Sequence, residues 1–484
     1  VPLETLAAPL GLATAEVAGA LEALRREGSV MEGRITPGAA EPEWCERHLL
    51  ARIHRYTLNR LRREIEPVEP RNFQRFVFAW QHVGEGAQVS GREALPAVLA
   101  QLEGFEAPAA LWEAELLPAR VADFNPAWLD ELCTAGRTVW ARLRPGQATA
   151  AAGRATLRAA PIVLLPRRGL ALWSGIAAGD DRAGGAAPAD ADAARATGAP
   201  SARAQRVLDA LQVHGASFFD DLLHHTRLLR TELEDALAEL VARGAVHGDS
   251  YAGLRALMLP PSKRAASARR APRRGGFSGI EDAGRWTAVR PPAKDGGAVG
   301  HGASATTPDD DAVEHVARTL LRRWGVVCWR LLEREAAWLP PWRDLVRVYR
   351  RLEARGEIRG GRFIAGLAGE QFALPDAVGA LRSVRREAEH DPDAGPLVVL
   401  AAADPANLLG SVLHGPRVPR IAGARLLYRG GLALASLAGG ELEWLVPDLP
   451  NALREQGARL LRLEPGSRHS VHGGLVAALA ARPG

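Results

Sequence analysis

The chain has 484 residues, 47% of them hydrophobic and 24% charged, with a formal net charge of +5. That length calls for several domains rather than one, and no apolar run is long enough to cross a membrane. The three cysteines, Cys45, Cys133 and Cys328, lie far apart without a CxxC pair, which excludes a disulfide framework and a cysteine zinc site and fits a reducing cytoplasm.

The chain opens at Val1 without a signal-peptide pattern, and its methionines are Met31 and Met258, so it reads as a piece of a longer protein. Residues 1–38 carry two helices, 3–10 and 14–27, closed by Gly28 and a hairpin from Val30. Residues 43–65 form an amphipathic helix with Leu49, Leu50, Ile53, Tyr56, Leu61 and Ile65 inward. Its outer face carries Arg52, Arg55 and Arg60, with either phosphate contact or plain solvation as their role. The aromatic helix 70–83 reads as core, and helices 93–102 and 107–117 complete a helical module over 43–120.

Residues 121–175 hold a helix to Thr134, a glycine at 136 and a wing over 162–165 and 170–173. Residues 176–200, rich in Ala, Gly and Asp, read as a linker. Three helices and a hairpin follow in 201–259. Residues 260–308 are expected to be a disordered basic linker, because 262–290 sets eight basic residues against Glu281 and Asp282 with few apolar ones. Only Lys263 and Lys294 are lysines among the 61 basic residues, a bias of GC-rich genomes, so an arginine here is not in itself a functional signal. Outside 262–290 the chain is near neutral, and any nucleic-acid face must come from local clustering.

Residues 309–389 give the clearest module. A helix ends at Gly325, a second helical piece follows, and a third opens at Pro340-Pro341-Trp342 with Leu345, Val346, Tyr349 and Leu352 on one face. It stops at Gly356, before two short strands around Gly360-Gly361. Three helices and a hairpin are the winged-helix order, punctuated by proline at a helix start and glycine past its end. The last part recurs: Leu21 to Leu24 leads to Gly28, Leu129 to Leu132 to Gly136, Leu237 to Leu240 to Gly244, and Tyr349 to Leu352 to Gly356. After a further helix over 377–389, segments at 397–401, 424–428, 432–437, 442–446 and 459–463 read as strands of a terminal module over 395–465, with a tail at 466–484. The expected class is mainly α with small β-hairpins: tandem winged-helix modules followed by a small, β-rich, barrel-like C-terminal module.

Several segments carry a family resemblance. Leu49-Leu50-Ala51-Arg52-Ile53-His54-Arg55-Tyr56, Phe78-Ala79-Trp80-Gln81-His82, Leu116-Leu117-Pro118-Ala119-Arg120-Val121, Gly369-Glu370-Gln371-Phe372-Ala373-Leu374-Pro375 and Ala403-Asp404-Pro405-Ala406-Asn407-Leu408 resemble the long bacterial large helicase-related (Lhr) proteins. They match the region that follows the superfamily 2 helicase core. The chain has no GxxxxGK[ST] loop and no Asp-Glu-x-His box, so ATP and magnesium are expected to belong to the missing core, with no cofactor here. The resemblance implies a DNA-engaging region that self-assembles, typically into a tetramer, in a cytoplasmic, nucleoid-associated DNA-repair protein. It also implies similarity to AlkZ-type DNA glycosylases and a uracil-removing activity. A purely structural scaffold without DNA contact stays open beside these readings.

The AlkZ pattern is Gln, a hydrophobic residue, then Gln or Asp, and its nearest match is Gln101-Leu102-Glu103. These are the candidate catalytic residues, against surface residues of an ordinary helix. The candidate DNA contacts are Arg343, Arg347, Arg350 and Arg351 on the third helix of the 309–389 module and Arg359 and Arg362 in its wing. Tandem modules also use such surfaces to pack on each other. No metal site is expected: His224-His225 reads as a polar helix end, Asp404-Pro405 as a turn and Trp112 as core.

Overall fold

A computed structural model describes residues 1–36, 38–63, 65–84, 86–144, 154–183, 199–259, 280, 283–289, 310–391, 393 and 395–463. Four segments repeat one plan. In the last, the helix Asp310–Trp324 leads into the strand Val326–Val327, the 3-10 segment Trp329–Arg334, the helix Trp342–Ala354 and the strands Arg359–Gly361 and Gln371–Ala373. The latest strand lies between the other two, antiparallel to both. Further back, Leu95–Gln101, Ala107–Pro108, a helical stretch over 109–116, Pro126–Thr134, Thr138–Ala141 and Pro161–Pro166 follow the same plan and the same strand order. Ala202–His214, Phe219–Thr226, Arg230–Ala242, Val246–Gly248 and Trp286–Ala288 do so again, with Ser217 bridging to Trp286. At the start of the chain, Leu3–Leu10, Thr14–Arg26, Val30–Gly33 and Glu43–Glu46 repeat the plan without its first helix, with Pro2 bridging to Glu43. We number these modules one to four in chain order. The fold is mainly α with small antiparallel sheets.

What ends each third helix is local. Gly28, Gly136, Gly244 and Gly356 have φ of 76°, 68°, 69° and 76°. In every case the glycine N–H bonds the carbonyl three residues back, and the next N–H bonds the carbonyl five back: Gly136 to Cys133 and Arg137 to Leu132, Gly356 to Glu353 and Glu357 to Leu352. That is the Schellman arrangement, which satisfies carbonyls the helix leaves orphaned and turns the chain into the wing.

Five expectations need correction. The second module is one unit from helix Leu95–Gln101 to strand Pro161–Pro166, so a boundary at 120–121 cuts through it. Residues 170–173 open the helix Leu170–Ala183 and are not part of a wing strand. The stretch expected to be a disordered linker contains the third module's closing strand, Trp286–Ala288, whose Trp286 is fully buried edge-on to Trp140, and Ile280 is buried as well. The rest of the 260–308 linker, most of 176–200 and the 466–484 tail lie outside the described residues. The terminal module is an open meander of Leu397–Ala401, Arg425–Arg429, Leu432–Ala438 and Glu441–Trp444, not a closed barrel. Its expected last strand is part of the helix Asn451–Arg462, which packs on the sheet through Leu461.

Two large cores join these parts. One gathers the fourth module, the aromatic helix Pro70–Trp80 and the terminal sheet, with Phe73, Phe76, Trp324, Tyr349 and Tyr428. Helix Pro70–Trp80 crosses the fourth module so closely that a Cβ at Gly325 would stand 2.7 Å from Phe76. The other joins the second and third modules around Trp112, Trp140, Tyr251 and Trp286.

Candidate nucleic-acid interface

In an isolated winged helix the third helix is the element that enters a groove. Tandem packing removes that option from two of the four. In the third module, Arg230–Ala242 is buried continuously from Ala236 to Ala242. In the second, Pro126–Thr134 is held by the third module: Asp130, 2% exposed, takes the Arg255 guanidinium at 3.1 Å, and Glu113 takes it as well. Burial pushes both carboxyls up from their ordinary range while Arg255 pulls them down.

The first module's helix, Thr14–Arg26, is open but has arginines only in its last turn, and Arg25 bonds Glu22. The fourth module differs. Its helix Trp342–Ala354 buries Leu345, Val346, Val348, Tyr349 and Leu352 and turns Arg343, Arg347, Arg350 and Arg351 outward in one stripe. The wing adds Arg359 and Arg362, both exposed. The stripe is not bare positive charge. Arg347 lies 3.3 Å from Asp344, Arg350 grips Glu370 with two nitrogens, and Arg351 bonds Asp310 at 2.9 Å. These pairs are largely solvent-exposed and each is worth about 0–1 kcal/mol, so an incoming phosphate can replace the carboxylate at small cost.

Helix Arg47–Arg63 flanks this face. Its Arg62 makes a two-nitrogen clasp with Glu353, 5% exposed, at the end of the fourth module's third helix. The wing makes room for it with Gly360-Gly361: a Cβ at Gly360 would lie 2.8 Å from Arg62 Nε. A double glycine in a strand is itself a sign of close backbone approach, the one signal in the sequence for this contact. Arg52, Arg55 and Arg60 on the helix are exposed. Part of the face expected to point inward is not buried: Leu49 and Ile53 are 45% exposed and Tyr56 73%, whereas Ile65 packs against the core shared with the fourth module.

Gln101 and Glu103 are not the surface pair of an ordinary helix. Gln101 is 8% exposed and donates to the Trp80 carbonyl at 2.8 Å; Glu103 is 3% exposed. One Glu103 oxygen bonds Trp173 Nε1 at 2.9 Å and His315 Nε2 at 2.8 Å, and the other faces Arg322 at 3.4 Å. Burial pushes this carboxyl up, but the bonds from His315 and Trp173 and the Arg322 charge outweigh it and hold Glu103 below the ordinary range. The pair joins the second module to the fourth, and its carboxylate is already engaged.

The other weighed residues are structural. Trp112 is fully buried, and His225 stacks on His214 at 3.9 Å. No group of side chains able to hold a metal ion occurs among the described residues. Asp404 is deeply buried. Its carboxylate accepts both terminal nitrogens of the fully buried Arg120 at 2.8 Å and the N–H of Ala406. Arg120 also donates to Gln81, and Asn407 takes the Tyr428 hydroxyl at 2.7 Å.

Comparison with known proteins agrees with this architecture. Residues 68–167 and 306–393 each match a family model described as a large helicase-related protein winged-helix domain. The chain is 29% identical over 475 residues to the "Lhr helicase/ probable uracil glycosylase" of Mycolicibacterium smegmatis, covering 94% of this chain and 28% of that protein. It is 28% identical over 521 residues to the "Lhr helicase/uracil glycosylase" of Escherichia coli, covering 97% of this chain and 30% of that protein. The chain thus spans less than a third of the length of these relatives, is similar to them along nearly all of its own length, and carries two winged-helix domains of the large helicase-related (Lhr) kind.

Proposed function

We propose that this chain is a DNA-engaging, non-motor region of an Lhr-type helicase, contacting DNA through the outer face of Trp342–Ala354, its wing and the neighbouring helix Arg47–Arg63. The supporting observation is that, of the four third helices, only this one carries arginines along a solvent-facing stripe. ATP and magnesium belong, in this reading, to a helicase core outside these residues. The test is DNA affinity as a function of salt. Arg343→Gln with Arg347→Gln should weaken binding and lower the log–log salt slope by about 2 for duplex DNA, at about 0.9 per lost phosphate contact. A wild-type chain without salt-dependent binding would leave the scaffold reading in place.

The proposal includes self-assembly, with a tetramer as the expected state, in service of DNA repair. Support from the tryptophans of the fourth module is weak, because Trp324 and Trp338 are buried within the chain and only Trp329 is exposed. The uncovered Leu49, Ile53 and Tyr56 face supports it better. Light scattering that returns a single-chain mass at micromolar concentration would remove it. A second reading, a base-flipping uracil glycosylase, draws on the names of both relatives. Incubation with a uracil-containing oligonucleotide tests it, and the engaged state of Glu103 argues against that residue as its carboxylate.

A further inference from the structure

The second module, whose third helix is occluded, carries a separate basic feature at the root of its wing. A cleft of about 440 Å³ opens there, lined by the apolar Pro96, Leu99 and Leu132 together with Arg137, Arg167 and Arg168. Its size lies in the range of about 300–1,000 Å³ typical of ligand sites. The backbone holds the arginines together. Arg137 follows the helix-ending Gly136, the Arg167 N–H bonds the Arg137 carbonyl at 3.2 Å, and Thr138 pairs with Pro166 in the sheet. Arg167 and Arg168 also open the 3-10 turn that feeds helix Leu170–Ala183, so the positive end of that helix faces the same region.

What sets this cluster apart is the lack of counter-charge. The arginines of the fourth module's third helix have carboxylate neighbours. Arg137, Arg167 and Arg168 are exposed, have no ion-pair partner among the described residues, and share a cleft lined by no Asp or Glu. Burial first, and then the Arg167 charge, hold the imidazole of the nearby His247 below the ordinary histidine range, against a smaller opposing pull from Asp249. Three guanidiniums gathered without an anion repel one another, and a phosphate relieves that repulsion with charge-assisted, two-pronged hydrogen bonds. The apolar lining suits the sugar or base edge that a phosphate brings with it.

We propose that this cleft, at the C-terminal end of the module's third helix, is a phosphate-binding site for the backbone of a DNA strand. The assignment rests on the DNA-engaging reading above and adds a second contact area to it. A strand held here and at the fourth module would be positioned by two modules, one using its recognition helix and the other the root of its wing.

The experiment uses the full chain with Arg137→Gln, Arg167→Gln and Arg168→Gln combined, an Arg168→Glu variant, and a separate Arg343→Gln/Arg347→Gln variant. Anisotropy with a single-stranded oligonucleotide across a salt series is one arm, and melting temperature with added thymidine monophosphate or pyrophosphate is the other. The triple variant is expected to melt like wild type and to lower the salt slope by about 2, at about 0.7 per phosphate for single strands. Arg168→Glu should weaken binding further than the loss of one arginine would. Unchanged affinity and slope in both cleft variants would overturn the site. Wild-type stabilisation by the free nucleotide, lost in the triple variant while DNA binding is unchanged, would overturn the strand assignment in favour of a free nucleotide. If the triple variant is impaired and the fourth-module variant binds normally, the helix face fails and the cleft stands; the reverse result sinks the cleft alone.

Discussion

The pair Arg120–Asp404 offers the sharpest test of how the chain is held together. It joins three segments distant in sequence: Arg120 follows the helical stretch 109–116, Gln81 ends helix Pro70–Trp80, and Asp404 sits in the loop after the first strand of the terminal sheet. Replacing Asp404 with Ala removes both bonds to Arg120 and the one from the Ala406 N–H. The guanidinium, 0% exposed, then keeps only Gln81 and the Leu116 carbonyl as partners. An uncompensated buried charge of this kind costs about 3–5 kcal/mol. At about 2–4 °C per kcal/mol for a unit of 150–250 residues, the melting temperature should fall by roughly 6–20 °C.

The pair itself is a different matter, since desolvation consumes most of its attraction. Arg120→Met with Asp404→Asn should therefore cost less than the sum of the two single changes, with a coupling of about 1–3 kcal/mol. Because several domains unfold together, the readout should be midpoints by tryptophan fluorescence, with amide exchange of Ala406 and Leu408 to locate the loss. An Asp404→Ala protein that melts with wild type, or a double variant that is simply additive, would refute the reasoning.

Three further outcomes follow from the same geometry. Gly356→Ala should cost about 1–2 kcal/mol for a left-handed backbone with open space around it, whereas Gly244→Ala should cost more because its Cβ would stand 2.9 Å from the Arg142 carbonyl oxygen; equal melting temperatures would count against that ranking. Glu103 titrates below its ordinary value in the fold, so its stabilisation is complete above the unfolded value of about 4.3 and is lost as pH falls through the folded one. Glu103→Gln should thus flatten the melting-temperature profile below about pH 4.5 relative to wild type, and parallel profiles would exclude the clasp as its source. Trp286→Ala should cost about 3–5 kcal/mol and unfold the third module first, as a fully buried residue would; a wild-type melting curve would return 286–288 to the status of a linker.

The features legible in the sequence were those fixed within a few residues. A glycine seven residues after Leu21, Leu129, Leu237 and Tyr349 marks a helix end, because only a left-handed residue closes the Schellman pair, and all four positions adopt that backbone. Partnership was not legible. The Leu49, Ile53 and Tyr56 stripe has helical spacing, yet periodicity says only that a face is apolar and not that this chain covers it. Trp286 closes a sheet with Val246–Gly248 across a long arginine-rich insertion, where composition argues for a loop and one tryptophan decides otherwise. The leucines at 460–461 fit a strand or a buried helix turn equally well, and the helix begun at Asn451 settles it.

Three of the five familiar motifs meet in space, and where they meet says what the resemblance can carry. Gln81, Arg120, Asp404 and Asn407 come from three of those segments and form one buried hydrogen-bonded network. From a fourth, Gln371 accepts the N–H groups of Phe363 and Ile364 and fixes the loop of the fourth module's wing. Each is a polar group that would be costly to bury unpaired, so each dictates a particular neighbour, and together they dictate how the modules dock. None of them faces solvent. Likeness in these segments therefore transmits the arrangement of modules, including which third helices are occluded and which are left open. The arginines of Trp342–Ala354 and of the cleft at Arg137 stand outside that network, so chemistry can change there without disturbing the fold beneath. Substitution of the buried set should disassemble the modules, and substitution of the exposed set should change only what they hold.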